Sequence, residues 1–284
     1  MTSALRYPGR AGHVVVPRAD RRSMWDGLGL YTPSRPRAVW LHRVASAAMR
    51  LGLGAVIARE PWTPPEDWPL AVWRREVPGA DTLLGAYERP QASRDGGAAL
   101  LGGDGRRVAL VKVRRAPAPE LEHEALVLDT VARARPRSFA VPEVLASGID
   151  DGYAWVATST IPRDHRSVPD LAARVTEEIS ELLAPLDLEG DGDASHGDLT
   201  PWNVRRAGGT VWIFDWEDAA RRPAGADATL HHAWMVLLGV EEPRACPADA
   251  VRHWQAVVAG RSTSDTDHDA NLALAEVLAS LITA

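Results

Sequence analysis

The stretch His196-Gly197-Asp198-Leu199-Thr200-Pro201-Trp202-Asn203 decides how the rest of this sequence is interpreted. A short apolar run follows it and ends in Ile213-Phe214-Asp215-Trp216-Glu217. The first stretch places the carboxylate of Asp198 ahead of the amide of Asn203, and the second adds the carboxylate of Asp215. Carboxylate and amide oxygens are the ligands that Mg²⁺ prefers in proteins. The pattern therefore predicts a loop with reactive and metal-binding side chains, followed by a strand that ends in a metal-binding acid.

These residue types and spacings match what phosphoryl transfer to a hydroxyl requires. Asp198 would accept or orient the proton of the accepting hydroxyl. Asn203 and Asp215 would hold Mg²⁺ against the phosphates of a nucleotide, and His196 is expected to hold the loop. The alternative is a chance match, which the apolar strand that ends in Asp215 makes less credible.

One lysine stands among the 32 basic residues of the chain, and it is Lys112. It lies in the apolar run Val108–Val113, where strand alternation puts Val108, Leu110 and Lys112 on one face. A lysine on such a face must be paired or must reach a cleft, where it could hold nucleotide phosphates. The alternative is an edge-strand lysine that reaches water.

The next segment, from about residue 119 to 134, is predicted to be a helix. At about 100° per residue, Leu121, Ala125 and Leu128 form an apolar stripe, and Glu124 falls inside it. A glutamate on a buried face needs a cationic partner, so we expect Glu124 to pair with Lys112. Glu120 fits better as an acid at the helix N-terminus.

With these motifs, the chain resembles the aminoglycoside phosphotransferase and choline kinase group of the protein-kinase-like superfamily. The resemblance is carried by Gly197 in His-Gly-Asp and by Asp215-Trp216-Glu217, and it covers about residues 81–220. It implies an α+β, protein-kinase-like bilobal fold with a small β-rich N-lobe at 81–160 and a helical C-lobe at 161–284. Residues 1–80 would be an N-terminal extension of unknown role.

The resemblance also implies a kinase that uses ATP or GTP with Mg²⁺, and a small-molecule hydroxyl as the acceptor. Lys112 and Glu124 match the pair that anchors the phosphates, Asp198 matches the catalytic base, and Asn203 and Asp215 match the metal ligands. The backbone of a hinge at Thr158, Ser159 and Thr160 would bind the base of the nucleotide.

The sequence departs from this family in two places. The loop expected to cover the phosphates, near residues 93–97, has no G-x-G-x-x-G pattern. The segment from Ile161 to His196 has room for one long helix, where aminoglycoside phosphotransferases usually carry extra helices around the substrate. The acceptor pocket must therefore be built otherwise. Two other functions stay open: a non-catalytic nucleotide-binding module, and a protein kinase, against which the missing A-P-E segment counts.

Composition limits the class of protein. The 284 residues include one cysteine, Cys246, which excludes an internal disulfide framework. We find no signal peptide and no membrane-spanning run, so a cytoplasmic protein is expected. The net charge of −6 argues against nucleic acid as a partner.

The charge is uneven along the chain. Residues 1–80 hold 12 arginines and 6 acids, and this basic part could face an acidic partner, a membrane surface or the acidic remainder of the chain. Five of the 11 tryptophans also lie there, as a recognition surface or as cover for the core: Trp25, Trp40, Trp62, Trp68 and Trp73.

Periodicity predicts the remaining elements. A helix over 34–51 would bury Val39, Leu41, Val44, Ala48 and Leu51. A Gly-Gly-Asp-Gly turn at 102–105 would join two strands. Further strands are expected at 83–87, 139–145, 153–158 and 211–214, and further helices at 170–186 (capped by Asp170), 227–239, 247–259 and 270–283.

Overall fold

The computed structural model describes residues 2–7, 13–30, 36–57, 60–66, 68–88, 96–162, 166–168, 171, 173–261 and 265–282. The helices in these ranges are α1 (Arg21–Leu28), α2 (Pro36–Arg50), α3 (Gly54–Ile57), α4 (Leu70–Glu76), α5 (Pro119–Ala134), α6 (Ala173–Leu183), α7 (Ala226–Leu237), α8 (Ala248–Gly260) and α9 (Asp265–Ser280). The strands are β1 (Thr2–Tyr7), β2 (Val14–Pro17), β3 (Glu60–Trp62), β4 (Thr82–Glu88), β5 (Gly97–Gly103), β6 (Arg106–Arg115), β7 (Val144–Asp150), β8 (Tyr153–Ser159), β9 (Arg166–Ser167), β10 (Asp193–Ser195), β11 (Val204–Ala207), β12 (Thr210–Ile213) and β13 (Ala220–Arg222). Among the helices of the described ranges, none has the length and apolar character needed to cross a membrane.

The chain forms two compact units. Unit 1 comprises Met1–Ala125 with Glu143–Thr160, and unit 2 comprises Leu126–Pro142 with Ile161–Ala284. Unit 1 contains an antiparallel sheet that has, within its described residues, eight strands in the order β3-β1-β2-β4-β5-β6-β8-β7. The α+β class, with a strand-rich first part and a helix-rich second part, is confirmed.

Most elements predicted between residues 81 and 160 are present. The turn between β5 and β6 is formed by Asp104 and Gly105, both with positive φ, which is the geometry that a two-residue hairpin turn requires. The helix predicted at 119–134 is α5. The strand predicted at 139–145 is wrong in its bounds, because β7 begins only at Val144. The segment before it makes a single bridge, between Ala140 and Trp212.

The N-terminal segment is built into the sheet of unit 1. Strand β1 pairs with β2 and β3, and β2 pairs with β4, so three strands that precede residue 81 extend the sheet. Trp62, Trp68 and Trp73 are buried in the same apolar cluster as Val111 and Trp155. These three tryptophans cover the core, as one of the two interpretations of the sequence proposed.

The opposite face of the sheet receives α5. Leu121 of α5 packs with Ala154 and Val156 of β8 in a second cluster. Alternation along β6 places Ala109, Val111 and Val113 in the first cluster, and Lys112 is therefore on the side of α5. The strand phase predicted for Lys112 is confirmed, but the prediction that Val108 shares its face is wrong. Val108 packs against the first cluster, because the register of β6 shifts beside it.

Helix α2 forms where the sequence predicts it, but the predicted buried face is wrong. Leu41, Val44 and Leu51 are exposed, and the helix packs instead through Met49, with Ala45 partly buried. Met24 and Tyr7 receive it in a small cluster between α1, α2 and the first strands. Apolar spacing alone did not identify the face, because both sides of this alanine-rich helix carry apolar residues.

Unit 2 is mainly helical. Helices α7, α8 and α9 surround a core that contains Leu230, Trp254 and Leu278. Two small sheets, β10-β13 and β12-β11-β9, flank the loop from 196 to 203. Helix α6 is shorter than predicted, at Ala173–Leu183, and its proposed cap Asp170 lies outside the described residues.

A substitution in α4 would test whether the N-terminal segment stabilises unit 1. We expect Trp73→Ala to lower the free energy of unfolding by roughly 3–5 kcal/mol, because the side chain is fully buried and leaves a cavity. Urea unfolding measures this change. The control is Trp40→Ala, at a side chain that is mostly exposed, which should change the value by less than about 0.5 kcal/mol. Equal effects of both substitutions would show that the segment does not contribute to the core.

Candidate active site

Lys112 and Glu124 form a buried ion pair within unit 1. The Lys112 Nζ lies 2.6 Å from Oε1 and 2.7 Å from Oε2 of Glu124, so the ammonium donates to both carboxylate oxygens. The Glu124 side chain is 2% exposed and that of Lys112 is 16% exposed. Breaking such a pair would leave an uncompensated buried charge. The sequence identified both partners from the phase of one strand and one helix.

Glu120, in the first turn of α5, takes another partner. Its carboxylate accepts a hydrogen bond from the guanidinium of Arg114, on the strand β6 that also carries Lys112. Glu120 and Glu124, two of the four acids of α5, thus bind different cations of one strand, and Glu124 is the one that binds the lysine.

The loop from 196 to 203 connects β10 to β11 in unit 2. Gly197 has φ of +85°, a conformation that residues with a side chain rarely adopt. A Cβ atom at this position would lie 1.8 Å from the carbonyl oxygen of Asp218. The glycine that distinguishes His-Gly-Asp is therefore required both by its backbone angle and by the close approach of the backbone at Asp218.

Asn203 organises the polar side of this loop. Its Nδ2 donates to the Asp198 carbonyl and to Oδ2 of Asp198, each at 2.9 Å. The backbone carbonyl oxygen of Asn203 accepts a hydrogen bond from the backbone N–H of Phe214 at 3.2 Å, which brings the segment of Asp215 beside Asn203. Both bonds of the amide nitrogen go to Asp198, so the amide oxygen is the atom that Asn203 could offer to a cation.

Asp215 follows β12 in a left-handed conformation, with φ of +71°. Such an angle is uncommon for a residue other than glycine, and aspartate tolerates it better than most. Residues held in this region cluster at functional sites. With Asn203, Asp215 provides the hard oxygen donors that suit Mg²⁺.

His196 is fully buried and structural, as predicted. Its Nδ1 accepts from the N–H of Asp198 at 3.2 Å, which makes Nε2 the protonated nitrogen that donates to the Phe214 carbonyl at 3.2 Å. The ring also packs on Trp216, with ring centres 4.4 Å apart. His196 therefore ties the loop of Asp198 to the strand end that carries Asp215.

One face of α7 holds the loop from outside the motif, and the sequence did not reveal it. Asp227, His231 and Trp234 are spaced by four and three residues, so they share a side of the helix. Oδ2 of Asp227 accepts from the N–H of His196 at 2.7 Å, and its Oδ1 from that of Gly197 at 3.1 Å.

The other two residues of this face contact the loop further along. The His231 Nδ1 lies 3.2 Å from the carbonyl oxygen of Leu199, and the ring of Trp234 lies edge-on to Trp202 at 4.6 Å. The spacing of residues 227, 231 and 234 along α7 was the sequence signal that could have identified this face. It was not sufficient, because an acid at the start of a helix is also expected simply from the helix dipole. His232 points elsewhere, to Oε2 of Glu241 at 2.6 Å.

Burial changes the acidity of Asp227. Loss of water around the carboxyl raises its pKa to about 6, even though the N–H groups of His196 and Gly197 and the charge of Arg222 stabilise the ionised form. Keeping this carboxylate ionised in the folded protein therefore costs free energy. The ionised carboxylate accepts the two backbone hydrogen bonds that hold the loop.

The residues proposed for the hinge lie at the end of β8. The Thr158 hydroxyl donates to the Leu110 carbonyl at 3.4 Å. Ser159 donates its N–H to the Glu143 carbonyl, and its hydroxyl accepts from the N–H of Glu143 at 2.9 Å. Thr160 follows the strand as the last residue of unit 1. Binding of a nucleotide base at these three residues stays a prediction. Ser93, Arg94 and Asp95 of the expected phosphate-covering loop lie outside the described residues.

Comparison with known proteins gave matches among solved structures. No family model matches the chain, and no curated protein sequence matches it. An aminoglycoside phosphotransferase from Streptomyces rimosus, solved with ADP and streptomycin, is 14% identical; the match covers 74% of this chain and 96% of that chain with a TM-score of 0.42. A macrolide 2'-phosphotransferase from Brachybacterium faecium is 15% identical, with 76% and 98% covered and a TM-score of 0.44.

A third structure, the amicoumacin kinase hAmiN in complex with AMP-PNP, Ca²⁺ and Ami, is 10% identical; the match covers 69% of this chain and 78% of that chain with a TM-score of 0.38. The chain is thus similar in fold to an aminoglycoside phosphotransferase, a macrolide 2'-phosphotransferase and an amicoumacin kinase. At these identities and scores, neither an activity nor an acceptor is transferred to this chain.

Two glycines allow a matched test of the loop geometry. Gly197 and Gly209 have nearly the same φ, +85° and +86°, but a Cβ at Gly209 would meet no atom within 4 Å. We expect Gly209→Ala to lower the free energy of unfolding by about 1 kcal/mol, from the backbone angle alone. Gly197→Ala adds the clash with Asp218 and should cost at least about 2 kcal/mol more. Urea unfolding of both variants measures these changes. Equal losses of unfolding free energy would contradict the close approach of the Asp218 backbone to Gly197.

The acidity of Asp227 gives a second test. The unfolded carboxyl, with its pKa near 3.8, loses its proton before the folded one with its pKa of about 6, so folding is opposed as the pH rises through this window. We expect the stability of the wild type, relative to Asp227→Asn, to fall by about 2 kcal/mol between about pH 4.5 and about pH 7.5. Urea unfolding at several pH values measures both proteins. Parallel pH curves would show that the Asp227 carboxyl does not have a raised pKa.

Proposed function

We propose that this protein is a phosphotransferase that moves the γ-phosphate of ATP or GTP to a hydroxyl of a small polar molecule. The observation that carries the proposal is the hydrogen bond from Nδ2 of Asn203 to Oδ2 of Asp198. It unites a proton-accepting carboxylate with an amide suited to a metal, in a loop that also adjoins the segment of Asp215. These are the residue types that phosphoryl transfer requires.

Asp198 acts on the acceptor. Its carboxylate is half-buried and keeps a fixed orientation through the amide of Asn203. In the reaction, the acceptor oxygen forms a bond to the γ-phosphorus, and the bond from that phosphorus to the bridging oxygen of the nucleoside diphosphate breaks. The proton of the hydroxyl passes to Asp198, which orients the oxygen while the proton is still bound.

Asn203 and Asp215 provide oxygens for a divalent cation. The donor set, one amide oxygen and one carboxylate, suits Mg²⁺ and offers no nitrogen or sulfur ligand that would favour zinc. When bound, Mg²⁺ would offset the negative charge of the nucleotide phosphates. The left-handed backbone of Asp215 and the buried side chain of Asn203 fix the directions of these two ligands.

Lys112 provides the positive charge for the phosphates of the nucleotide. Glu124 holds its ammonium with two short hydrogen bonds, so little side-chain freedom remains to be lost when phosphate binds. A lysine suits this place because its ammonium is compact, whereas a planar guanidinium would need a wider site. The chain uses arginine at each of its other 31 basic positions, which makes Lys112 distinctive.

The acceptor is proposed at the level of chemical class. Sugars, amino sugars, amino alcohols and hydroxylated natural products all present the alcohol that Asp198 would act on. Helix α6 is the one helix between residues 161 and 196 in the described part of the chain. Within the described residues of this segment, α6 is therefore the only helix that could contribute to the acceptor pocket.

Labelled nucleotide tests the function. Pools of small metabolites are incubated with [γ-³²P]ATP, or with labelled GTP, and Mg²⁺, and the products are separated from protein. We expect labelled small molecules with the wild type and a loss of about 10²–10⁴ in rate with Asp198→Asn, which keeps an oxygen for Asn203. The matched control is Asp191→Asn, at an exposed acid just before the loop, which should keep the full rate.

Three results would contradict the proposal. Equal rates with wild type and Asp198→Asn would exclude the role of Asp198. Binding of nucleotide without labelled product in any pool would favour the non-catalytic module. Label on protein instead of small molecules would favour a protein kinase.

A further inference from the structure

The segment from Gly27 to Arg59 carries an unusual charge pattern. It contains five arginines and no acidic residue, in a chain whose net charge is −6. Helix α2 occupies the centre of this segment, and α3 follows it. Neither helix contributes to the ion pair or the loop of the candidate active site, so the charge pattern needs another explanation.

The outward side of α2 is apolar. Trp40 is 63% exposed, Val44 is 48% exposed, and Leu51, directly after the last residue, is 73% exposed. At about 100° per residue these positions lie within about 40° of one another around the helix axis. Leu53 and Val56 of the next turn and helix are also exposed. We call these five side chains the α2 apolar face.

The α2 apolar face is not the side by which the helix is attached to unit 1. Met49 is buried against Met24, and the ring of His42 lies edge-on to Tyr7 with ring centres 5.8 Å apart. The helix thus uses one side for its own packing, and a second apolar side points outward. Several large apolar side chains exposed in one short region mark an interaction site more often than an ordinary surface does.

Arginines border the α2 apolar face. Arg43 is exposed on the helix, and the guanidinium of Arg50 lies 4.3 Å from the centre of the Trp25 ring. A helix with tryptophan and leucine on one side and arginine beside them fits the boundary between the headgroups and the acyl chains of a bilayer. Tryptophan in particular favours this boundary, because its ring is apolar and its N–H is polar.

The charge also discriminates between two possible partners of the α2 apolar face, a second copy of this chain and a lipid surface. If two copies packed through this face on a twofold axis, the arginines of one copy would oppose those of the other with no acid in the segment to pair them. An anionic lipid surface, in contrast, complements Arg43 and Arg50 beside this face. We propose that the α2 apolar face binds the surface of a membrane that contains anionic phospholipid.

Sedimentation with vesicles tests this proposal on the full-length chain. Unilamellar vesicles of phosphatidylcholine with about 30 mol% phosphatidylglycerol are compared with vesicles of phosphatidylcholine alone. We expect the wild type to sediment with the anionic vesicles at least about tenfold better, and less well at high salt, because counterions screen the arginines.

Substitutions then assign the surface. Trp40→Ser combined with Leu51→Ser should reduce binding to anionic vesicles at least about tenfold, since two exposed apolar side chains no longer enter the bilayer. The matched control is Leu272→Ser on α9, whose side chain is 53% exposed and which should bind as the wild type does. Circular dichroism and thermal unfolding verify that both variants have the wild-type fold, which is expected because the three substituted side chains are exposed.

Any of three results would overturn the proposal. The first is the absence of sedimentation with anionic vesicles, and the second is undiminished sedimentation of the Trp40/Leu51 variant. The third is a dimer of the wild type in solution that the same variant abolishes while no vesicle binding occurs, which would assign the face to a second copy of this chain.

Discussion

A single buried carboxylate, that of Asp227, holds the loop that carries Asp198 and Asn203. It accepts the backbone N–H groups of His196 and Gly197, and burial raises its pKa to about 6. The loop can then present Asp198 and Asn203 with a hydrogen bond between them. The loop is thereby tied to α7 through its backbone, in addition to the packing of its buried Leu199 and the ring contact between Trp202 and Trp234.

A buried ion pair and a buried single carboxylate are stabilised in different ways in this protein. Lys112 and Glu124 neutralise each other through two short hydrogen bonds, so neither is an isolated ion. Asp227 is stabilised mainly by backbone dipoles, which offset the loss of water only in part, and its pKa rises. The first arrangement keeps a buried ammonium paired, and the second holds a backbone conformation.

The N-terminal segment combines two roles that composition alone did not separate. Trp62, Trp68 and Trp73 are buried beneath the sheet of unit 1, while Trp40 is exposed on α2. Tryptophan serves both roles, because it contributes a large apolar area to a core and a polar N–H at a wet boundary. Neighbouring segments of one short region therefore supply both the core of the sheet and an outward apolar surface.

The sequence by itself determined the polar residues of the candidate site and the elements that carry them. Strand alternation placed Lys112 on the side of α5, and helix phase selected Glu124 over Glu120, because these relations are local and periodic. The motif likewise identified Asp198, Asn203 and Asp215 from spacing alone. Only the tertiary structure decided what holds them. Asp227 is far along the chain from the backbone groups that it binds, and a side chain at the start of a helix gives no sign of its distant partner. The same reason explains the error at α2, since the face that a helix buries depends on which neighbours arrive, and both of its apolar sides were equally suited.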